Sequence, residues 1–421
     1  MNPKRLLIPF SSRNYRLFFA GQIVSLVGSW MTQTATVWLV YHFTQSAFWL
    51  GAVTFLGQIP IVLLAPLAGV CVDRFDRMKI LKLTQAAAML QSFALAALAI
   101  SGHINIAWLT GLAIFQGVIN AFDMPARQSL VIHLVEKREH LANVIGLNSS
   151  MFNIARIIGP GLAGFVISDF GAGYCFLIDG ISYLAVLIAL CFIQIRRHVR
   201  KEKIESVWSD FRSGLKYAAG FGPIRQLILT AACFTIFGIS ANVLIPVYAE
   251  KIFGGDAKLL GLLMSASAIG SLLAALYLAT RKGLKGMGHL IVFGAVAFGL
   301  SLLAFAYSRN LHFSMFCLTI AGLGQILIMA SNNTLIQNLV DEEKRGRVMS
   351  LYGMAFLGGM PIGSLITGGI ADWLNPPIAV TLCGIATLII TYTFYRQLPK
   401  FRIEARAALK TKMDISSPVV E

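Results

Sequence analysis

Residues 120–164 form an apolar stretch that carries an unusual set of charged side chains. Asp123 and Arg127 lie one helical turn apart, and Arg156 follows in the next apolar run. Charges are expensive inside hydrocarbon-length helices, and where they occur they commonly mark substrate or ion pathways. An arginine there can bind an anionic group through charge-assisted hydrogen bonds, and a buried carboxyl group can carry a proton. We therefore predict that part of a functional pathway lies in this stretch.

Asp123 has two candidate ion-pair partners. If its helix continues to about residue 135, Asp123 lies roughly 18 Å above the cytoplasmic end, and Arg156 lies roughly 21 Å up the following helix. The similar depths favour an Asp123–Arg156 pair, because an unpaired charge in a low-dielectric span is costly. Arg127 is the competing partner. Two separate charges, each hydrated or snorkelling, are the remaining alternative.

A second buried acid, Asp179, lies in a later apolar run. It is close to the outer end of its expected span, where simple hydration is the alternative, so it ranks below Asp123 as a functional residue.

Membrane-spanning helices are the elements that must position these residues. Hydrophobic residues make up 57% of the 421-residue chain and charged residues 13%, which is more apolar side chain than a soluble domain could bury. Apolar runs of roughly 20 residues recur between Tyr15 and Tyr395, and they do not alternate as barrel strands do. The sequence therefore predicts an all-α membrane protein with twelve transmembrane helices.

The chain divides into two similar halves. Two basic turns follow similar apolar patterns. The first turn follows Leu130, Leu134 and Val135, and the second follows Leu335, Leu339 and Val340, which have the same spacing. A parallel repeat of six spans is the pseudosymmetry of transporters whose binding site lies between two bundles. We expect a six-helix bundle at 1–195, a cytoplasmic amphipathic linker at 196–223, a second six-helix bundle at 224–395 and a basic cytoplasmic tail at 396–421.

Most of the 35 Lys and Arg residues lie near the chain ends and in every second connection. By the positive-inside rule, both termini and the middle loop are expected in the cytoplasm. The same spread argues against nucleic-acid binding despite the formal net charge of +16, since that function needs basic residues on one face. The expected partners are a lipid bilayer and a small-molecule substrate.

Cofactor and metal chemistry is not indicated. The six cysteines have no paired spacing, and the seven histidines show no ligand spacing. No pairing of a nucleophile with a base emerges either, so we expect neither a cofactor, nor a metal site, nor an enzyme.

Neutral polar side chains extend the candidate pathway along the spans. They are numerous in the first apolar run, which suggests a helix with one wet side, and the second half offers amides where the first concentrates charge. Helix-to-helix packing is the alternative for each of them. The candidate pathway residues are Asp123, Arg127, Arg156, Gln22, Gln33, Gln58, Asn120, Asn153, Asn242, Gln325, Asn332 and Asn333.

Prolines and glycines inside the spans predict bent and closely packed helices. The run Gly159-Pro160-Gly161 superficially matches a dinucleotide-binding pattern, but no strand precedes it. Proline removes a helix hydrogen bond and glycine permits close helix approach. We therefore assign Pro125, Gly159, Pro160 and Pro361 to helix bending.

The turn after the second span resembles the signature loop of the major facilitator superfamily, Gly-x-x-x-Asp-Arg-x-Gly-Arg-Lys. Gly69, Asp73, Arg74 and Arg77 are in register, whereas Asp76 replaces the second glycine. The resemblance implies that these four residues form a cytoplasmic gate, in which the Asp and the Arg latch the ends of the two halves.

Nearly the whole chain resembles that superfamily, and the segments 120–128 and 156–160 resemble its enterobactin-exporter-like bacterial efflux branch. The resemblance implies a monomeric secondary transporter of the bacterial inner membrane. It would export a siderophore-like, drug-like or other amphipathic or anionic metabolite by alternating access, through a cavity lined by spans 1, 2, 4, 5, 7, 8, 10 and 11.

The coupling ion stays open. Proton-coupled drug exporters of the superfamily carry an Arg where this chain has Ala113, three residues before Gln116-Gly117, which weakens any transfer of their proton relay. If protons drive transport, Asp123 is the expected carrier. A lipid or lysolipid flippase of the same fold, and a membrane sensor or scaffold that transports nothing, are the alternative functions.

Overall fold

The computed structural model describes residues 8–133, 141–193, 207–281 and 283–416. Within these ranges the regular structure is helical, and twelve helices are long and apolar enough to cross a membrane. The predicted fold class and number of spans are therefore confirmed. The parts of the expected linker and tail at 196–206 and 417–421 lie outside the described residues.

The first six spanning helices are α1 to α6, and a shorter helix, α7, follows them. Six further spanning helices complete the chain. Their bounds are α1 Arg13–Thr44, α2 Ala47–Arg74, α3 Arg77–Ile100, α4 Ile106–His133, α5 Leu141–Phe170, α6 Ala172–Phe192, α7 Val207–Gly220, α8 Gly222–Phe237, α9 Ala257–Thr280, α10 Met287–Ala306, α11 Leu311–Leu339, α12 Arg345–Trp373 and α13 Pro376–Ser416.

Polar side chains at the helix starts explain where several spans begin. Ser46 precedes α2 and accepts a hydrogen bond from the Trp49 amide, and Asn310 does the same for the Phe313 amide of α11. Asp76 precedes α3 and accepts from the amides of Met78 and Lys79. These caps satisfy amides that the first helical turn leaves without partners.

The seventh span is broken near its middle. After α8 ends at Phe237, the chain continues as a 3₁₀ segment Ile239–Leu244, one α-helical turn Ile245–Val247 and a π-helical segment Tyr248–Ile252. Gly238 and Pro246 interrupt regular α-helical hydrogen bonding here. Such irregular backbone inside a span is common at functional sites.

Residue contacts divide the chain into two compact units. Unit 1 comprises Met1–Glu202 with Leu244–Ala268, and unit 2 comprises Lys203–Val243 with Ile269–Glu421. The segment Leu244–Ala268, from the second half of the sequence, thus groups with the first six spans. The expected domain boundaries at 195 and 224 stay a prediction.

Each unit uses the same helix pairings, as the sequence repeat predicts. In unit 1, α6 packs against α1 and α3, and α5 packs against α1. In unit 2, α13 packs against α8 and α10, and α12 packs against α8. Corresponding helices of the two units therefore pack in the same pairs.

The apolar core of unit 1 lies where five helices meet. Tyr15 of α1 packs with Leu81 of α3, Leu130 of α4, Val144 of α5 and Leu190 of α6 in one buried cluster. This cluster fixes the helices that carry the charged residues of the candidate pathway.

Candidate functional site

Asp123 and Arg127 form a buried ion pair on α4. Arg127 Nη2 donates to Asp123 Oδ2, and the exposed fraction of the two side chains is 27% and 3%, respectively. Thr84 Oγ1 and Gln85 Nε2 of α3 donate to Asp123 Oδ1 over 2.9 and 2.7 Å. Both oxygens of this carboxylate are therefore satisfied, one by a cation and the other by two neutral donors.

The structure thus selects Arg127, and not Arg156, as the partner of Asp123. Residues four apart on one helix lie on the same face, so the pair forms without help from another helix. Equal depth is a relation between positions along the helix axes, and it does not fix the direction in which a side chain points.

Arg156 lies half-buried inside α5. Within the part of the chain that the structure describes, it forms no ion pair with a carboxylate. A spanning helix thus carries a cation whose charge no described acid balances.

The amides near these charges are engaged along their own helices. Gln116 Nε2 donates to Asn120 Oδ1 over 3.1 Å on α4, and Asn153 Nδ2 donates to the Ser149 carbonyl over 2.8 Å on α5. Neither Asn120 nor Asn153 contacts the Asp123–Arg127 pair through these bonds. Their predicted place in the pathway stays a prediction.

The glutamines of the first two spans differ in exposure. Gln22 of α1 is 2% exposed, and its Oε1 has no hydrogen-bond partner in the described structure. Gln33 is exposed and Gln58 of α2 is half-buried. The expected wet side of α1 therefore fits Gln33, whereas Gln22 lies inside the protein.

The predicted polar wall of the second half is partly a packing feature. Asn332 of α11 is fully buried, and its Nδ2 donates to the Leu227 carbonyl of α8 over 3.1 Å. Asn333 accepts from Gln337 over 3.0 Å on the same helix. Asn332 therefore joins two helices, which is the alternative that the sequence left open.

Two further members of that predicted wall are half-buried. Gln325 of α11 has a buried Oε1 without a partner in the described structure, and Asn242 lies in the 3₁₀ segment of the broken seventh span. These two positions are the ones at which the second half still presents amides for a pathway.

Unit 1 contains polar contacts that sequence reasoning missed. Lys258 Nζ lies 2.8 Å from Asp169 Oδ1, and Ser168 Oγ donates to Asp256 over 2.9 Å. Asp169 and Lys258 are 89 residues apart in the sequence. Residue spacing therefore gives no indication that they form a pair.

The Gly-Pro run of α5 packs closely against the start of α9. A Cβ atom on Gly261 would lie 2.4 Å from the Pro160 carbonyl oxygen, and one on Gly164 would lie 2.6 Å from that of Ala257. Ser265 Oγ donates to the Ile157 carbonyl over 2.7 Å along the same line.

On its other side, the run meets α1, where a Cβ on Gly159 would lie 2.4 Å from Trp30 Cβ. The close helix approach expected of these glycines is therefore present. Helix bending at Gly159 and Pro160, and at Pro125 and Pro361 inside α4 and α12, stays a prediction.

The predicted cytoplasmic gate lies at the junction of α2 and α3. A Cβ atom added at Gly69 would meet open space, Arg74 is exposed and Arg77 begins α3. The side chain of Asp73 lies outside the described part of the structure. Asp76, which departs from the family pattern, is the cap of α3, and the latch itself stays a prediction.

Asp179 differs from its expected setting. It lies on α6 with an exposed fraction of 1%, and hydroxyl groups of three helices surround its carboxyl group. This side chain is therefore buried, and it is not open to bulk water at the outer end of the span. Among the described residues, no group of three or more His, Cys, Asp or Glu side chains is placed to hold a metal ion.

Comparison with known proteins gives a consistent result. A family model described as transmembrane secretion effector matches residues 5–421. The chain is 29% identical over 386 residues to the staphyloferrin A transporter of Staphylococcus aureus, covering 90% of this chain and 95% of that protein. It is 26% identical over 390 residues to macrolide efflux protein A of Streptococcus pyogenes, covering 90% and 94%.

Solved structures share the fold at lower identity. A bacterial homologue of the iron transporter ferroportin superposes with a TM-score of 0.68 at 18% identity, covering 91% of this chain and 98% of that one. A bacterial homologue of the human lysosomal transporter Spinster gives 0.63 at 16% identity, covering 95% and 98%.

Proposed function

This chain belongs to the transmembrane secretion effector family of the major facilitator superfamily, and from that membership we propose that it exports a small molecule by alternating access, in exchange for protons. It is a multi-pass membrane transporter and not an enzyme. The proposed site of action is the bacterial inner membrane, with both termini in the cytoplasm and a monomer as the working unit.

The relatives support export as the direction of transport. The family description refers to secretion, and macrolide efflux protein A is named for efflux. The substrate classes that we propose are siderophore-like, drug-like and other amphipathic or anionic metabolites. The name of the staphyloferrin A transporter supports the first of these classes.

The proposed preference for anionic groups rests on the position of Arg156. It lies half-buried within a spanning helix, and within the described residues no carboxylate pairs with it. A guanidinium group presents several donors and keeps its charge, so it binds carboxylate and similar groups through two parallel bonds. A substrate anion would supply the countercharge that the described chain lacks.

The two halves of the repeat differ in charge, which supports different roles for them in substrate binding. Unit 1 carries Asp123, Arg127 and Arg156, whereas the corresponding part of α11 carries Asn332, Asn333 and other neutral residues. We assign charge recognition to unit 1 and neutral hydrogen bonding to unit 2, chiefly at Gln325 and Asn242.

A counterflow screen in proteoliposomes tests these proposals. Purified protein is reconstituted with and without a pH gradient, and uptake of labelled siderophores, macrolides and anionic amphiphiles is measured. Export in exchange for protons predicts that the gradient drives flux of at least one class. Absence of substrate-dependent flux in all of them would contradict the proposed function.

The variant Arg156→Gln tests the anionic preference in the same vesicles. Loss of one charge-assisted contact of about 1.5–3 kcal/mol should raise the KM for an anionic substrate by about 10- to 100-fold. Flux of a neutral substrate should be unchanged. Arg309→Gln, which removes a positive charge from an exposed position outside the spans, is the matched control. An unchanged KM for anions in Arg156→Gln would remove the basis of the proposal.

A further inference from the structure

Asp179 is buried within unit 1 among neutral side chains. Ser29 of α1, Ser92 of α3 and Ser182 of α6 lie around its carboxyl group. Within the described residues, no lysine, arginine or histidine pairs with it. An ionised carboxylate buried without a cation is expensive even where hydroxyl groups surround it.

Two of the three hydroxyl protons are better placed for other acceptors. Ser182 Oγ lies 2.7 Å from the Asp179 carbonyl oxygen and 3.4 Å from Asp179 Oδ1. Ser29 Oγ lies 3.0 Å from the Ser25 carbonyl oxygen and 3.4 Å from the same Oδ1. Because a hydroxyl has a single proton, and the shorter bond is the stronger one, neither Ser29 nor Ser182 is committed to Oδ1 as a donor.

A neutral carboxyl group fits this arrangement better than an anion. Its own O–H at Oδ1 can donate to a lone pair of Ser29 or Ser182, while Oδ2 continues to accept from Ser92 over 2.9 Å. The Tyr183 hydroxyl lies 3.1 Å from Ser29 Oγ and extends the hydrogen-bond chain. In the neutral state, both carboxyl oxygens therefore have partners.

The other buried acid has the opposite setting. Asp123 accepts from Arg127 at one oxygen and from Thr84 and Gln85 at the other, so its ionised form is fully satisfied. Of the two acids, Asp179 is the one whose surroundings suit a bound proton.

We propose that Asp179 is the proton-binding residue of the transport cycle. The inference rests on the proton exchange proposed above and names the group that performs it. Uptake converts the carboxylate and one proton from water into a neutral carboxylic acid, and release returns that proton to water. The structure described here corresponds to the proton-bound state.

The backbone of α1 forms one wall of the Asp179 site. A Cβ on Gly28 would lie 2.8 Å from Asp179 Oδ1 and 2.6 Å from Ser182 Oγ. Beside it, the Thr32 hydroxyl lies near the carboxyl group and has no other hydrogen-bond partner among the described residues. A small separation of α1 from α6 would therefore admit water to the carboxyl group and favour proton release.

The titratable groups near Asp179 are few in the described structure. Cys175 and Tyr183 flank it on α6, and the Asp123–Arg127 pair of α4 interacts electrostatically with Tyr183. The facing parts of α1 and α3 contribute hydroxyl and amide groups, and α5 contributes a backbone carbonyl that Cys175 contacts.

Infrared difference spectroscopy on the reconstituted full-length protein tests the proposal without any substrate. A carboxylic acid C=O band at neutral pH should disappear in Asp179→Asn and persist in Asp123→Asn. Should Asp179→Asn fail to fold, Ser92→Ala serves instead. Loss of the one short donor to the anion should move the pH at which the band disappears upward by about one unit. A band that persists in Asp179→Asn, or an unmoved midpoint in Ser92→Ala, would overturn the proposal.

Flux measurements separate this inference from the proposed function. In proteoliposomes, Asp179→Asn should lose macrolide flux driven by a pH gradient and retain macrolide counterflow. The control variant Asp169→Asn, which changes an exposed carboxylate at the end of α5, should keep a response to the gradient. If the wild type shows counterflow that the gradient never drives, proton exchange itself is wrong, whatever the infrared band shows. Gradient-driven flux that survives in Asp179→Asn would instead refute only the assignment to Asp179.

Discussion

The Asp123–Arg127 pair offers a quantitative test of how unit 1 holds its charges. Replacing Arg127 with Gln leaves a carboxylate that is 3% exposed with two neutral donors. Breaking a buried pair from one side costs about 3–5 kcal/mol, and the 27% exposure of the Arg127 side chain places this case at the lower end. We therefore expect a loss of about 3 kcal/mol in the free energy of unfolding.

A double-mutant cycle isolates the interaction from the general effects of substitution. Asp123→Asn keeps the shape of the side chain and leaves Arg127 unpaired but partly exposed, so its cost should be smaller, about 1–2 kcal/mol. The double variant leaves neither charge behind. Its cost should fall below the sum of the single variants by about 2 kcal/mol, which is the coupling energy of the pair.

The control cycle combines Asp123→Asn with Arg156→Gln. Because the structure pairs Asp123 with Arg127, the effects of these two changes should add to within about 0.5 kcal/mol. Chemical denaturation in detergent micelles measures all the variants. A larger coupling for Asp123 with Arg156 than for Asp123 with Arg127 would refute the pairing and restore the interpretation based on depth.

Two further predictions concern helix packing. Gly261→Ala places a Cβ against the Pro160 carbonyl oxygen, 2.4 Å away, and should lower the free energy of unfolding by about 1–3 kcal/mol. The control Gly146→Ala, which meets open space on α5, should raise it by up to about 1 kcal/mol in the same denaturation assay. Equal losses in the two variants would contradict the close packing of α5 against α9. Tyr217 of α7 donates to Asp341 over 2.9 Å, and burial together with that carboxylate raises the pKa of the phenol. The bond should therefore be present below the ordinary phenol range near pH 10 and be lost only as pH rises beyond it. Hydrogen exchange of the α7 amides should stay slow to alkaline pH in the wild type and be faster at every pH in Tyr217→Phe. Equal exchange rates in the wild type and the variant would refute the contact.

The spans could be predicted from the sequence because membrane insertion imposes a simple rule. A helix must present about 20 apolar residues to cross the hydrocarbon core, and no soluble alternative buries so many. What the sequence did not show is the break of the seventh span after Phe237. Gly238 and Pro246 are visible there, but glycine and proline also occur inside the regular spans α4 and α12, so composition does not distinguish a break from a continuous helix.

The candidate site was predictable only where a contact lies within one helix. The one-turn spacing of Asp123 and Arg127 indicates the pair that the structure contains. A comparison of depths along α4 and α5 favours Asp123 with Arg156 instead. Contacts between helices, such as Lys258 with Asp169, depend on the rotation of each helix about its axis. That rotation follows from packing of the whole unit, which a single sequence does not display.

The different settings of Asp123 and Asp179 bear on how a proton-driven exporter could be built. A group that holds a proton in one state and releases it in another must have both forms within a small free-energy range of each other. Arg127 and two neutral donors occupy both carboxylate oxygens of Asp123, so this pair serves better as a structural contact. Asp179 meets the condition if α1 moves, since its present hydroxyl neighbours suit the acid and water would suit the anion. From position in the span, Asp123 ranks above Asp179 as the expected proton carrier. The hydrogen bonds around each carboxyl group reverse that order.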